Sequence, residues 1–342
     1  MAEAASPAAT RPRRLTYRDA LREAMAVEMR RDPCVFLIGE DIGECGGQHR
    51  VSEGLLAEFG AGRVVDAPVA EQGFTGLAVG AAFAGLRPVV EMMCWSFGLL
   101  ALDHIVNSAA KTRYMSGGAL GVPIVLRGPD GPAARLGAQH SQSVAAMLAH
   151  VPGLKVVAPS NAADAYGLLV AAIRDPDPVL VLEHEQLYAH EGDVAEWDAV
   201  PAFGRAAVVR GGRDVTVVAY SHATLTAREA AARLADKGIS VEVVDLRSLR
   251  PLDMPAVFGS LAKTRRLVVV EEGWPACSVG SEICSRVATE AFGLLAAGPV
   301  KVSGADVPMP YAANLERLAV PDACDVVAAV ERLCYRSPVA SD

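Results

Sequence analysis

"VVDAPVAEQGFTGLAVGAAFAGLRPVVE", residues 64–91, sets one carboxylate, Glu71, at the mouth of a run of 15 residues, Gln72 to Leu86, that carries no charge. A membrane-spanning helix needs about 20 apolar residues, so the run reads as a buried element of a soluble domain. Gly76, Gly80 and Ala84 recur every four residues. On a helix they form one smooth face that a second helix can approach closely. Glu71 falls in the first turn of that helix, where an acidic side chain complements the helix dipole, and capping alone could account for it. The helix runs into "RPVVEMM", an apolar strand. The same rhythm continues on both sides: "CVFLIG", "VPIVLRG", "LKVVAPS" and "PVLVLEHE" read as strands separated by amphipathic or Ala-rich segments. Continuous apolar strands alternating with helices imply a parallel sheet covered on both faces, an α/β fold.

The chain has 342 residues, enough for about two domains. Composition shifts at "LYAHEGDVAEWDAVPAFG", residues 187–204, which is polar, acidic and broken by Pro201 and Gly204. Beyond it the alternation restarts. "AAVVRGGRDVTVVAY" reads as a hairpin around Gly211-Gly212. "TAREAAARLADKG" reads as a helix closed by Gly238, and "SVEVVDLRS", "RRLVVVEEG" and "PVKVSG" as strands. The division expected is a flexible arm over 1–14, a first domain over 15–190, a linker over 191–204 and a smaller α/β domain over 205–337. The arm, "MAEAASPAATRPRR", lacks the apolar stretch of a secretory signal.

Hydrophobic residues make up 51% of the chain and charged residues 21%, with a net charge of −8. No Lys/Arg cluster has the density of a nucleic-acid footprint, so nucleic acids and anionic membranes are poor partners. The seven cysteines are scattered and form no CxxC pair, which suits a reduced, cytoplasmic protein. No GxGxxG follows a strand and no GxxxxGK[ST] occurs, which removes dinucleotide and P-loop readings. His184-Glu185 lacks the second histidine of HExxH, no Cys/His set has zinc spacing, and no serine lies in GxSxG.

Two polar islands remain. "RGPDGPAARLGAQHSQS", residues 127–143, is a Gly/Pro loop at the C-terminal end of a strand, where open α/β sheets place ligands. His140 lies at its far end, with His150 and His190 as decoys. "AAIRDPDPV", residues 171–179, runs from a helix end into a strand. Free carbonyls there, beside Asp175 and Asp177, could form a hard-oxygen cation site or simply an acidic proline turn.

"GEDIGECGG", "RVVDAPVAEQGFTGLAVGAAFAGLRPVVE", "DHIVNSAAKTRYMSGG", "AQHSQS", "PGLKVVAPSN", "VDLRSLRPLD" and "ADVPMPYAANLE" together resemble the β subunits of thiamine-diphosphate-dependent 2-oxoacid dehydrogenases, in particular the pyruvate dehydrogenase branch. The likeness runs in order from about Leu15 to Leu333. It implies a transketolase-like fold, a parallel-sheet pyrimidine-binding domain followed by a smaller transketolase C-terminal domain. It also implies that Glu71 hydrogen-bonds the pyrimidine ring of the cofactor and relays a proton that activates it. Phe97 would stack on that ring, with Val69 and Met93 lining its pocket. His140 would stand near the thiazolium, donating a proton or orienting the 2-oxoacid and the incoming lipoyl group.

Enzymes of this class hold the diphosphate through magnesium with a GDG motif, and no GDG occurs here. The resemblance therefore implies half a cofactor site, completed by an α subunit that brings magnesium and the diphosphate pocket in an α2β2 heterotetramer. It further implies docking to a lipoyl acyltransferase core through the C-terminal domain, and a structural potassium held by Ile124, Ala172, Ile173, Asp175 and Asp177. Branched-chain 2-oxoacid or acetoin chemistry, or a non-catalytic stabilising subunit, stay open as alternatives to pyruvate decarboxylation.

Overall fold

The computed structural model describes residues 13–132, 134–194 and 200–334. Residues 1–12 of the expected arm, 195–199 of the expected linker and 335–337 of the expected second domain lie outside the described residues.

The first domain opens with β1 (Arg13–Thr16) and α1 (Tyr17–Arg31), whose first turn is capped by the Thr16 hydroxyl accepting from the Asp19 N–H at 3.0 Å. There follow β2 (Val35–Gly39), α2 (Leu55–Phe59), β3 (Val64–Asp66), α3 (Glu71–Phe83), β4 (Arg87–Glu91) and α4 (Trp95–Gly98). A π-helical turn, His104–Ala109, leads into α5 (Ala110–Met115), β5 (Val125–Pro129), α6 (Ala145–Ala149), β6 (Lys155–Val157), α7 (Ala162–Arg174), β7 (Val179–Glu183) and β8 (Glu191–Val194). Six strands pair in the order β6-β7-β5-β4-β2-β3, every pair parallel. Every residue of β2, β5 and β7 is buried, as strands covered on both faces must be. On one face α1 and α7 pack through Leu21, Met25, Leu168 and Leu169; on the other, α3 and Trp95 close a second core.

The second domain contains β9 (Ala207–Arg210), β10 (Val215–Ala219), α8 (Ala223–Ala235), β11 (Val241–Asp245), β12 (Ser248–Arg250), α9 (Met254–Thr264) and β13 (Leu267–Val270). It ends with α10 (Val279–Glu290), β14 (Val300–Val302), α11 (Ala313–Ala319) and α12 (Ala323–Cys334). Its sheet has the order β14-β13-β10-β11-β9, parallel except for β9. Strand β12 leaves this domain and pairs antiparallel with β6, at the edge of the first sheet.

Two expectations are corrected. β9 and β10 do not form a hairpin, because β11 lies between them. The turn at Gly212 runs so close to β11 that an added Cβ would sit 2.1 Å from the Glu242 nitrogen. Arg13 and Arg14 are not part of an arm, and Glu191 to Val194 are not linker. They pair as β1 and β8, Arg14 opposite Asp193 and Thr16 opposite Glu191, with an Arg14–Glu191 ion pair at 2.7 Å. The stripe of small residues on α3 is covered at one end among the described residues. A Cβ on Gly76 would meet the His104 ring at 2.7 Å, whereas nothing lies within 4 Å of one on Gly80. No helix among the described residues is long and apolar enough to cross a membrane.

Candidate active site

The parallel order sets the C-terminal ends of β3, β2, β4 and β5 side by side. From them emerge, in turn, Val69 and Glu71, then Glu40, then Met93 and Phe97, then the loop with His140. Side chains far apart in sequence thus share one edge of the sheet, as ligand-binding residues of open α/β folds do.

Glu71 is the first residue of α3, and the preceding Ala70 offers no side-chain cap. It is only 5% exposed, and no described residue donates a hydrogen bond or an ion pair to its carboxylate. A buried carboxylate without a partner is costly. Glu40, just past β2, is a second one: it is 6% exposed and its Oε1 is buried without a hydrogen bond. Burial and the neighbouring charge of Glu71, with a smaller push from Asp41, raise its pKa. Sequence reasoning gave Glu40 no role. Its signal was present, an acid immediately after an apolar strand in "VFLIGED".

Phe97 is half-buried and meets the His140 ring edge-on, centroids 5.0 Å apart at 83°. The Cys94 thiol donates to the His140 carbonyl at 3.4 Å, and the Ser96 hydroxyl accepts from the Gln142 N–H at 3.3 Å. Segment 140–142 therefore hangs on the start of α4, with the imidazole exposed. Burial pushes the Cys94 thiol pKa up, so Cys94 supports this segment as a thiol and is not a ready nucleophile. Met93 is half-buried, while Val69 is 82% exposed and forms an open rim. His150 and His190 are exposed elsewhere on the surface.

The acidic turn after α7 is satisfied from within the chain. Lys155 Nζ reaches both Asp175 oxygens at 2.7 and 2.8 Å, and Arg113 holds Asp177. Arg87 donates to the carbonyls of Ile173 at 3.0 Å and Asp175 at 2.9 Å. The Ala172 and Ile124 carbonyls accept from the N–H groups of Asp175 and Val179. Each expected ligand residue thus already accepts from a donor among the described residues, and three of those donors are cationic side chains.

Between the domains, His184, His222 and Glu272 gather within 4.8 Å. The two rings stack at 15°, and their nitrogens point at one carboxylate, Nε2 of His184 at 2.8 Å and Nδ1 of His222 at 2.7 Å. Parallel rings do not converge on a common ion, so this is a hydrogen-bonded bridge.

The residues that do converge fit the pyrimidine half of thiamine. Glu71 and Glu40 offer buried oxygens to ring and amino N–H groups, and Phe97 offers a flat apolar face. Residues 13–191 match the family "Transketolase, pyrimidine binding domain" and residues 204–326 match "Transketolase, C-terminal domain". The chain is 54% identical to the pyruvate dehydrogenase E1 component subunit beta of Rhizobium meliloti, over 97% of this chain and 72% of that one. It is 53% identical to the subunit of the same name from Rickettsia felis, covering 94% and 99%. A mitochondrial subunit beta-2 from Oryza sativa is 52% identical, covering 98% and 90%. Among solved structures, a split gene transketolase described as an inactive beta4 tetramer superposes with a TM-score of 0.77 at 25% identity, covering 93% of this chain and 98% of that one. With two transketolase-type domains in sequence and over half of its residues shared with these relatives across nearly its whole length, the chain belongs to the family of pyruvate dehydrogenase E1 β subunits.

Proposed function

We propose that the chain supplies the pyrimidine half of a thiamine diphosphate site. Assembled with an α subunit as an α2β2 heterotetramer, it decarboxylates pyruvate and passes the acetyl group to the lipoyl arm of an acyltransferase core. The observation that carries this reading is the buried Glu71 carboxylate, which has no partner among the described residues and lies at the same strand-end edge of the sheet as the Phe97–His140 ring pair. When bound, thiamine diphosphate supplies a carbon nucleophile and an electron sink for the 2-oxoacid. Glu71 holds a proton at the pyrimidine ring nitrogen. Phe97 would hold the ring by stacking, and Met93 and Val69 would line its pocket. His140, exposed on its loop, serves the substrate and lipoyl side.

Magnesium and the diphosphate are assigned to the α subunit, because the sequence lacks GDG. Val69, open to solvent, faces what that partner would cover. The solved β4 tetramer of a split gene transketolase is called inactive, which suits a β-type chain that does not suffice alone. All seven cysteines are free, in keeping with a reducing compartment such as the cytoplasm.

Co-expression with the α partner, followed by assay of CO2 release and lipoyl acylation on a panel of 2-oxoacids, tests the reading. Pyruvate should give the highest kcat/KM, and the chain without its partner should be inactive. A preference for branched-chain 2-oxoacids would change the substrate. An assembly that binds the cofactor and decarboxylates nothing would remove the activity.

A further inference from the structure

The loop that carries His140 leaves β5 at Asp130 and returns at Val144, one residue before α6. Its neck is closed by three hydrogen bonds. The Gly131 N–H donates to the Gln142 carbonyl at 3.0 Å. The Ser143 hydroxyl donates to Asp130 Oδ2 at 2.9 Å, and the Val144 N–H donates to Asp130 Oδ1 at 2.8 Å. Two of the three end on one carboxylate. Asp130 is itself fixed to the sheet, since its N–H donates to the Glu183 carbonyl at 2.9 Å and extends the β5–β7 pairing. The second domain holds the far side: Glu316 of α11 accepts from the Arg135 N–H at 2.9 Å, and Tyr311 lies against Gly137.

We infer that Asp130 is a positioning residue for this reaction: its carboxylate closes the neck of loop 131–143 and so sets where the His140 imidazole stands against Phe97. The inference rests on the role proposed above for His140. A long loop held at its neck, by the start of α4 at residues 140–142 and by the second domain at two points keeps its far end within reach of a fixed target. Misplacing a reacting group by about 1 Å can cost about 10²-fold in rate.

The neck is sensitive to protonation. Burial raises the Asp130 pKa to about 6, against the bonds from Val144 and Ser143 and the His184 imidazole, while Glu272 pushes the same way as burial. His184 after β7, Glu272 after β13, Tyr220 after β10 and the Cys94 thiol before α4 are ionisable groups that interact with it, and Gly131 lies against the first two. Above about pH 6 the carboxylate accepts both bonds. Below it, one oxygen carries a proton and the Ser143 hydroxyl must turn to accept. Asparagine at this position is permanently neutral. Its carbonyl can accept from Val144 and its amide can donate to Ser143, so the neck is kept and the pH response removed.

The test compares wild type, Asp130→Asn, Asp130→Ala and Ser143→Ala, each assembled with the α partner. Two quantities are read: hydrogen exchange of segment 131–144, and lipoyl acetylation relative to decarboxylation followed with an artificial electron acceptor. Asp130→Ala should raise exchange in 131–144 and lower lipoyl acetylation by about 10–10²-fold, with a smaller loss in acceptor-linked decarboxylation. Asp130→Asn should keep most of both activities and abolish the change in loop exchange that wild type shows around pH 6. Ser143→Ala, which removes one bond of the three, should fall between them and serves if Asp130→Ala does not fold. Wild-type exchange in 131–144 for Asp130→Ala or Ser143→Ala, or equal losses for the Ala and Asn variants, would overturn the inference. If wild type itself decarboxylates no 2-oxoacid, the proposed function fails, and the exchange measurement still decides whether Asp130 holds the loop.

Discussion

Glu71 can serve two purposes at once, and burial separates them. An acidic side chain in the first turn of α3 suits the helix N-terminus, but that effect amounts to only about 0.3–1 kcal/mol and needs no burial. Taking a carboxylate out of water with no partner costs more than that. Glu71 is 5% exposed, so the fold carries a penalty that capping does not offset and that a ring N–H of the cofactor would. Glu71→Gln, assembled with the α partner, should therefore fold at least as well as wild type. It should lose decarboxylation and lipoyl acetylation alike by about 10²–10⁴-fold, the range of general acid–base contributions. Unchanged turnover would return Glu71 to a capping role. His140 is exposed, so His140→Ala should leave the melting temperature unaltered. It should impair lipoyl acetylation at least as much as acceptor-linked decarboxylation, since its loop is where a lipoyl arm can enter. Equal losses in the two assays would assign His140 to the steps before acyl transfer.

The strands that carry the site were legible because burial on both faces makes them apolar runs, and "VFLIG", "RPVVE" and "VLVLE" are such runs. β1 and β8 were not, since a two-stranded exposed ribbon held by Arg14 and Glu191 has no apolar signature. β12 was hidden for another reason. "SLR" is too short to read alone, and its partner β6 lies about ninety residues away in sequence. The donors to the acidic turn after α7 were not legible, because nothing local announces that Arg87, Arg113 and Lys155 arrive from other elements. On the stripe of small residues, Gly76 is covered by the His104 ring and Gly80 faces open space among the described residues. A tighter approach, unmarked by any pattern, is at Gly128 in β5, where a Cβ would lie 2.2 Å from the Met92 carbonyl at the end of β4. Gly128→Ala should destabilise the chain by about 1–3 kcal/mol through overpacking and displace Met93 and Phe97 with it. Gly80→Ala has open space and helix propensity in its favour and should stabilise the unassembled chain by about 0.5–1 kcal/mol. Urea unfolding of the two variants measures both signs. A destabilised Gly80→Ala would place that face in the chain's own core.

The two domains act as one body because the second reaches into the first. β12 lies on the edge of the first sheet, Arg247 grips Asp164 at 2.8 Å, Arg250 donates to the Ala149 carbonyl at 2.7 Å, and Glu272 joins His184 of one domain to His222 of the other. This junction has a pH dependence whose sign can be worked out. Burial lowers the His222 pKa, but its bond to Glu272 and that group's charge outweigh burial and leave it raised above 6.5. Its contribution is complete below 6.5 and is lost as pH climbs through the raised value. Glu272 is the opposite case. Burial alone would raise its pKa, yet the two imidazoles hold it well below 4.5, so its contribution is present above 4.5 and fades only in strong acid. The buried acids Asp130 and Asp245 are raised, chiefly by burial, from 3.8 to about 6 and about 7. Their ionisation costs the folded state more than the unfolded one, so stability falls as pH rises through that range. Asp130 and Asp245 lower stability as pH rises from 3.8 to about 6 and about 7, and His222 continues the decline above 6.5. The melting temperature should therefore decline steadily from about pH 5 to pH 8, and His222→Gln, which cannot take up the proton, should flatten the part of the decline above 6.5. A melting temperature that climbs between pH 6 and 8, or a His222→Gln profile parallel to wild type throughout, would mean that the bridge between the domains does not carry charge in the folded protein.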